Sequence, residues 1–156
     1  MKKQFLPLML LASAICSCSE KQPEATEPMI TKTEIQVENG QFTPEIMHRL
    51  GKVGDVQVSP DHSKILYGVT YTSIEQNKGN RELYLMNVDG SENVKITNTP
   101  KSESNARWLS DSQIIYMRSG KLYTATIEGS TLKNEKEVTG AEGMESFELS
   151  PAGDKI

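Results

Sequence analysis

The sequence predicts an all-β fold, a partial β-propeller of about two and a fraction four-stranded blades with one short N-terminal helix. The first observation behind this prediction is a repeated turn. Three apolar strands each run into a serine-containing turn, at Ser59, Ser110 and Ser150. The second observation is the spacing of these serines, 51 and then 40 residues, which is the period expected of blades that each hold four strands.

The N-terminal segment, residues 1–17, is typical of a lipoprotein signal peptide. Lys2 and Lys3 precede an apolar run over residues 5–15, which is shorter than the ~20 apolar residues that a membrane-spanning helix needs. A basic start, a short apolar run and small residues at its end indicate export.

Both cysteines of the chain, Cys16 and Cys18, lie at the end of this segment. The stretch Ile15-Cys16-Ser17-Cys18 resembles a bacterial lipobox, in which a small residue directly precedes the acylated cysteine. Cys18 follows the small Ser17 and is the predicted lipid attachment site, whereas Cys16 follows the bulky Ile15. We therefore expect an exported chain that is lipid-anchored to the bacterial membrane, in the periplasm or at the cell surface. An ordinary signal peptide with incidental cysteines is the alternative.

Residues 18–41 are predicted to be a flexible tether between the lipid and the domain. They contain Pro23, Pro28 and five glutamates, with few large apolar side chains to offset the entropy of ordering. Residues 33–37 alternate between apolar and polar types, so a strand at this position is the alternative.

A short helix is predicted next. Thr43 is a suitable N-cap, Pro44 suits the first helical position, and Gly51 suits the C-terminal end. His48 is expected to face solvent or to form a local hydrogen bond. The helix would place three apolar side chains against an adjacent sheet, namely Ile46, Met47 and Leu50.

Strands and turns follow from residue 54. Alternation in the first unit predicts strands that end at 58 and span 64–71, 82–88 and 94–97, with an irregular stretch over 73–80. Asp89-Gly90 predicts a hairpin with a primed turn, in which both residues adopt positive φ. The strand over 64–71 would carry one apolar face, composed of Ile65, Tyr67, Val69 and Tyr71.

The second unit repeats this plan, with strands over 105–109, 113–117 and 121–127 and a weak strand over 135–138. The third unit offers one strand over 144–149 and a turn over 150–153. Residues 42–156 are therefore predicted to be the N-terminal part of a propeller, truncated. Because blades bury their faces only against neighbours, such a chain is expected to be unstable or aggregation-prone in isolation.

Several segments resemble the first propeller blade of bacterial serine peptidases in the prolyl oligopeptidase family, of the dipeptidyl-peptidase and acylaminoacyl-peptidase type. They include Phe42-Thr43-Pro44-Glu45, Val58-Ser59-Pro60-Asp61 and the run over 75–90 with its Asn80-Arg81-Glu82. The resemblance implies that the propeller is a gate and lid over a C-terminal α/β-hydrolase domain. No Gly-x-Ser-x-Gly elbow occurs in the 156 residues, so no catalytic residue is transferred and the catalytic domain is expected to be absent.

The resemblance implies a serine exopeptidase that hydrolyses oligopeptides, and the lipid predicted at Cys18 would anchor it in the cell envelope. A non-catalytic propeller lipoprotein that binds a protein or glycan partner is the alternative. Some members of the family hold the substrate's amino group with propeller acids, and Glu75, Glu142 and Glu145 lie in loops where this is conceivable. Acids are common in loops, so each is interpreted as a solvated surface group and the role is not carried over.

Metal, cofactor and nucleic-acid sites are not expected. The folded part has no cysteine and only His48 and His62 as imidazoles, which argues against zinc. Asp61, Asp111 and Asp154 follow turn patterns rather than a calcium loop, and no phosphate loop occurs. Loss of two lysines with the signal peptide shifts the net charge from −4 to −6, so no basic excess remains for nucleic acid. Six aromatic residues are predicted to pack between blades: Trp108, Tyr67, Tyr71, Tyr84, Tyr116 and Tyr123.

Overall fold

A computed structural model describes residues 28–150 and 156 of the chain. The predicted signal peptide, Cys18 and the first part of the predicted tether lie outside the described residues. So do most of the turn over 150–153 and Asp154. Within the described part, residues 28–37 form neither helix nor strand, so the alternative of a strand over 33–37 is wrong.

Two four-stranded antiparallel sheets follow one another along the chain. Each sheet is a simple meander in which every strand pairs with the next, and the prediction of an all-β fold with one short helix is confirmed. The arrangement is consistent with a partial propeller that is not closed. Helix α1 spans Pro44–Arg49. Sheet 1 consists of β1 (Lys52–Val58), β2 (Lys64–Ser73), β3 (Lys78–Asn87) and β4 (Val94–Lys95). Sheet 2 consists of β5 (Glu103–Trp108), β6 (Gln113–Arg118), β7 (Lys121–Glu128) and β8 (Thr131–Glu142).

An apolar cluster joins the two sheets. Burying an aliphatic or aromatic side chain of this size contributes roughly 1.5 to 3 kcal/mol, so this cluster is the main attraction between the sheets. The opposite face of sheet 2 is covered by Phe147, which packs on Ile115, Met117 and Leu122. The cluster between the sheets consists of Leu66, Leu83 and Leu85 from sheet 1 and Ala106, Trp108, Ile114, Tyr116, Ala125 and Ile127 from sheet 2.

The two sheets repeat one another in detail at their first strands. The pairing of β1 with β2 shifts between Gly54 and Gln57, and the pairing of β5 with β6 shifts between Ser104 and Arg107. Both shifts are bulges, and the second lies 50 residues after the first. The serines are 51 residues apart because Ser59 is the first residue after β1, whereas Ser110 is the second after β5.

The hairpin between β3 and β4 differs from the prediction. Gly90 has a φ of 85°, but Asp89 is not among the residues with positive φ. The N–H of Gly90 donates to the carbonyl of Asn87 and the N–H of Asn87 donates to that of Ser91, both at 2.9 Å. This is a type I turn followed by one left-handed residue. The prediction of a primed turn is wrong because the Asp89 carboxylate accepts hydrogen bonds from both the N–H and the hydroxyl of Ser91, and these bonds stabilise the type I turn instead.

Element boundaries also differ. The stretch over 73–80, predicted to be irregular, is half strand, because β2 and β3 pair as far as Ser73 with Lys78 and only residues 74–77 form the turn between them. β8 is much longer than the predicted 135–138, and β4 is shorter than the predicted 94–97. Leu66 rather than Tyr67 or Val69 is the most deeply buried residue of β2, because its face meets sheet 2.

Two predictions about flanking segments are wrong. Met47 and Leu50 are 54% and 43% exposed and do not cover the sheet, while Ile46 is half-buried and His48 is exposed as expected. Residues 144–149 form no strand within the described part of the chain. There the Asn105 side-chain amide donates a hydrogen bond to the Phe147 carbonyl at 2.7 Å, and this segment is held by a side chain rather than by the backbone hydrogen bonds of a strand pair.

Candidate functional site

A set of polar side chains, four of them buried, spans the two sheets beside the apolar cluster. We call it the polar joint. It draws on β3, the linker between β4 and β5, β5, β6 and β8. Its members are Asn80, Glu82, Thr97, Thr99, Glu103, Arg118 and Glu135.

Glu82 forms the sheet 1 side of the polar joint and is 2% exposed. Its Oε2 accepts the Thr97 hydroxyl at 2.7 Å, and its Oε1 accepts the Thr99 N–H at 3.1 Å. The Asn80 amide donates to the same Oε1 at 3.3 Å. Three donors therefore compensate the desolvation of this carboxylate.

Thr97 explains why the chain turns toward sheet 2 at this point. The N–H of Ile96 still donates to the carbonyl of Leu83 at 2.8 Å, as in a strand ladder. The next ladder bond is made by a side chain, because the N–H of Leu83 donates to the Thr97 hydroxyl oxygen at 2.8 Å. The backbone of Thr97 is thereby released from the sheet and can lead the linker to β5.

Glu103 forms the sheet 2 side of the polar joint and is fully buried. Its Oε1 accepts the Thr99 hydroxyl at 2.8 Å and the Arg118 Nε at 2.7 Å. Its Oε2 has no hydrogen-bond partner within the described residues. Burial raises the pKa of Glu103, and the bonds from Thr99 and Arg118 only partly oppose this rise.

Arg118 is held between two carboxylates and two rings. Its terminal nitrogens donate to both oxygens of Glu135, each at 2.8 Å, in a bidentate pair that lowers the pKa of Glu135. The Tyr116 hydroxyl also donates to Glu135. The guanidinium carbon lies 5.6 Å and 4.9 Å from the ring centroids of Tyr116 and Tyr123, so cation–π attraction adds to the ion pair.

A second cross-sheet link connects the bulges of β1 and β5. Asp55 Oδ2 lies 2.9 Å from Arg81 Nη2, and the two groups form an ion pair without hydrogen-bond geometry. The same Asp55 oxygen accepts a hydrogen bond from the backbone N–H of Asn105 at 3.2 Å. Nearby, the Trp108 Nε1 donates to the Gln57 carbonyl at 3.4 Å. Both contacts join the first strand of one sheet to the first strand of the next.

The three loop acids considered from the sequence are not brought together. Glu75 is exposed in the β2–β3 loop of sheet 1 and accepts the Ser73 hydroxyl at 2.9 Å. Backbone and Ser73 hydrogen bonds lower the pKa of Glu75. Glu142 ends β8 and Glu145 follows it, and both are exposed. The geometry therefore does not assemble an acidic site from these residues.

The remaining candidates occupy turns or the core. The Asp61 carboxylate accepts the hydroxyls of Ser59 and Ser63, and these bonds lower the pKa of Asp61 to about 2. His62 follows in the same turn with a φ of 59°, at the position where the repeat commonly has glycine, and Asp111 is exposed in the equivalent turn. Within the described residues, no group of three or more His, Cys, Asp or Glu side chains could hold a metal ion.

The prediction that six aromatic residues pack between blades is confirmed for three of them: Trp108 and Tyr116 lie in the apolar cluster between the sheets and Tyr123 packs against it, whereas Tyr67, Tyr71 and Tyr84 lie outside that cluster. Tyr116 is fully buried and Trp108 is 8% exposed. Tyr67 stacks on Tyr84 with ring centroids 5.6 Å apart, and Tyr116 stacks on Tyr123 at 6.0 Å. The two pairs lie on paired neighbouring residues of the second and third strands of each sheet, which again marks the repeat.

Sequence reasoning missed the polar joint. Glu103 is the first residue of β5, and Glu82 opens the predicted strand over 82–88 although it lies within β3; a charged residue at the start of a strand usually marks solvent exposure. The signal that could have located them is Thr97-Asn98-Thr99, a run of hydroxyl and amide groups just after a strand. Such a run offers hydrogen-bond donors that can compensate a buried carboxylate on either side of it in the sequence, here Glu82 before it and Glu103 after it.

Comparisons with known proteins place the chain beside two peptidases. No family model matches it. It is 34% identical to "Dipeptidyl-peptidase 5" of Porphyromonas gingivalis over 80 residues, which are 51% of this chain and 12% of that protein. It is 28% identical to "Dipeptidyl-peptidase 5" of Porphyromonas endodontalis over 97 residues, 62% of this chain and 13% of that protein. The chain thus spans about an eighth of the length of the curated relatives it matches.

These similarities support, in part, a relationship to dipeptidyl-peptidases. The described residues include no helix that is both long and apolar enough to cross a membrane.

Proposed function

We propose that this chain is part of the propeller region of a serine-type dipeptidyl-peptidase, where it serves as gate and lid over the catalytic domain. The whole protein would hydrolyse oligopeptides in the bacterial cell envelope, held at the membrane by a lipid on Cys18. The observation that carries the proposal is the similarity to two dipeptidyl-peptidases in a chain whose described residues form two stacked four-stranded sheets.

The contacts between the first strands support a gate. Propeller blades surround a central channel, and in this proposal the first strands of the two sheets, β1 and β5, lie nearest to it. β1 and β5 are linked by the Asp55–Asn105 and Gln57–Trp108 contacts. A gate selects substrates only if its opening keeps its width, and two cross-links between adjacent first strands favour a fixed opening.

The charges at these strands suit a peptide. Asp55 with Arg81 and Arg107 with Glu148 supply groups of both signs at or beside β1 and β5. A peptide carries a cationic amino end, an anionic carboxyl end and main-chain hydrogen-bonding groups. A mixed surface can contact all of these, whereas nucleic acid would require a basic excess.

Bond cleavage is assigned to no residue of this chain. Its side chains would restrict access and contact the substrate, while the nucleophile, base and oxyanion donors of serine catalysis would come from a hydrolase domain of the same protein. Substitutions in this chain should therefore alter substrate selection or stability rather than remove the chemistry.

The proposal is tested on the native protein. Antibodies against residues 42–150 would isolate it from the envelope of the producing cells, and the isolate would be assayed with dipeptidyl reporter substrates. A serine-directed fluorophosphonate should label the captured polypeptide and abolish the release of dipeptides. A mock isolation with non-immune antibody is the control.

The competing function is a propeller lipoprotein that binds a protein or glycan and performs no catalysis. It predicts a captured polypeptide that neither reacts with the fluorophosphonate nor releases dipeptides. That result would overturn the peptidase proposal.

A further inference from the structure

The polar joint holds more acidic than basic groups. Of its three carboxylates, Glu103 and Glu135 share a single guanidinium, that of Arg118, and Glu82 is bonded only by neutral donors. Both terminal nitrogens of Arg118 are taken by Glu135, and only its Nε reaches Glu103. One positive group cannot neutralise three buried or half-buried carboxylates, so one of them is poorly compensated.

Glu103 is the poorly compensated group. It is fully buried, whereas Glu135 is half-exposed and binds the guanidinium through both oxygens. Glu82 is almost as deeply buried but accepts three donors. Glu103 accepts two donors on one oxygen and none on the other. An ionised carboxylate with an unpartnered buried oxygen is strongly disfavoured, while a carboxylic acid in the same place carries no net charge.

We propose that the Glu103 carboxyl group binds a proton when the two sheets are packed together, and that loss of this proton weakens the polar joint. The site is a proton-binding site built into the contact between successive sheets. It is independent of the peptidase proposal, since it rests only on residues that connect sheet 1 to sheet 2.

The neighbouring groups keep their charge states while Glu103 changes its own. Arg118 stays cationic because its pKa is raised by the hydrogen bonds to Glu135 and Glu103. Tyr116 stays neutral because burial raises its pKa. The pKa of Glu135 is lowered by Arg118, so it is ionised. The titratable and charged groups around Glu103 are Glu82 from β3, Arg118 and Tyr116 from β6, and Glu135 from β8, which binds Arg118.

The direction of the pH effect follows from linkage. Burial raises the pKa of Glu103, so the folded chain holds this proton at pH values where the unfolded chain has lost it. The stability that it contributes is complete below the unfolded pKa and is lost as the pH rises through the folded pKa. Glu135 has the opposite sign, because its lowered pKa gives stability that is lost as the pH falls.

Two amide variants on either side of the same guanidinium test the proposal. Glu103→Gln is permanently neutral, and Glu135→Gln is the matched control. Urea midpoints would be measured for the native protein isolated from the producing cells, and for both variants of it, from about pH 4 to about pH 8. We expect the urea midpoint of Glu103→Gln, minus that of the wild type, to increase as the pH rises, because the wild type loses stability when Glu103 loses its proton and the amide does not titrate. The midpoint of Glu135→Gln should fall below the wild type at neutral pH and approach it in acid.

Difference infrared spectroscopy gives a second readout, and its first part uses only the wild-type protein. We expect the C=O band of a protonated carboxyl group to persist at pH values above the ordinary glutamate range, and to be missing from folded Glu103→Gln. The proposal is overturned if every carboxyl band of the wild type is lost within the ordinary glutamate range. It is equally overturned if the persistent band remains in Glu103→Gln, or if the midpoint of that variant differs from the wild type by the same amount at every pH.

Discussion

Asp55 and Asn105 occupy the same position of two consecutive bulges, and the Asp55 carboxylate accepts the backbone N–H of Asn105 at 3.2 Å. Both residues have left-handed backbone conformations, with φ of 51° and 53°. Aspartate and asparagine tolerate this region better than most side chains do, so the bulge selects these residue types. The same side chains then reach the next unit, since Asn105 in turn donates to the Phe147 carbonyl.

Replacing Asp55 should loosen the contact between the sheets. Asp55→Gly removes the carboxylate without straining the left-handed backbone, and leaves Arg81 and the Asn105 N–H without their shared partner. Because Asp55 is one-third exposed, we expect a modest loss of about 1 to 2 kcal/mol in the free energy of unfolding, measured by urea denaturation.

Glu148→Ala is the control for this prediction. Glu148 is 83% exposed and lies 3.7 Å from Arg107, so its loss should change the free energy of unfolding by less than about 0.5 kcal/mol. Equal effects of the two substitutions would show that the bulge link has no special role.

Gly68 should not tolerate a side chain. Gly68 lies in the middle of β2, and a Cβ atom there would run directly into the Arg81 guanidinium, which Asp55 holds in place. We expect Gly68→Ala to displace Arg81 and to cost about 1 to 3 kcal/mol by thermal or urea unfolding. Gly79→Ala on the adjacent strand is the matched control, because its nearest neighbour would be 3.3 Å away. A Gly68→Ala variant as stable as Gly79→Ala would contradict the close packing around Arg81.

Local patterns were sufficient for most of both sheets. Alternation and turn residues located five of the eight strands closely, because turn residues such as Gly, Pro, Ser or Asp bound them, while β3 begins four residues before the predicted 82. β8 was underestimated because its sequence, rich in Lys and Glu, resembles a loop. It is a strand because it pairs along β7 and its charges find partners, such as Glu137 with Lys121 at 2.8 Å.

The polar joint could not be predicted because its burial is a tertiary effect. Glu82 and Glu103 lie 21 residues apart and look like ordinary solvated acids in the sequence. They become buried only when the linker after β4 crosses from one sheet to the next and Thr99 contacts both carboxylates. The exposure of Met47 and the burial of Phe147 are tertiary effects of the same kind, because they depend on residues that are distant in sequence.

The lipid attachment predicted at Cys18 is tested by substitution and labelling. Cys18→Ser should abolish incorporation of labelled palmitate and move the protein from the membrane fraction to the soluble fraction. Cys16→Ser is the control and should leave both properties unchanged, since Ile15 precedes it and disfavours processing at that position. Acylation that survives Cys18→Ser but not Cys16→Ser would move the site to Cys16, and acylation that survives both would refute the lipobox.

Thr97 is expected to be the most sensitive uncharged residue of the polar joint. Its hydroxyl accepts the N–H of Leu83 and donates to Glu82, and both partners are buried. Thr97→Val keeps the shape but leaves a buried N–H and a carboxylate oxygen without a partner. Each unsatisfied group costs about 1 to 3 kcal/mol, so the loss should exceed that of an ordinary surface substitution. Thr97→Ser retains the hydroxyl and should lose much less.

Amide hydrogen exchange at Leu83 provides a local readout, because its N–H should exchange faster in Thr97→Val and remain protected in Thr97→Ser. Unchanged protection in Thr97→Val would show that the backbone, rather than this side chain, closes the ladder between β3 and the linker.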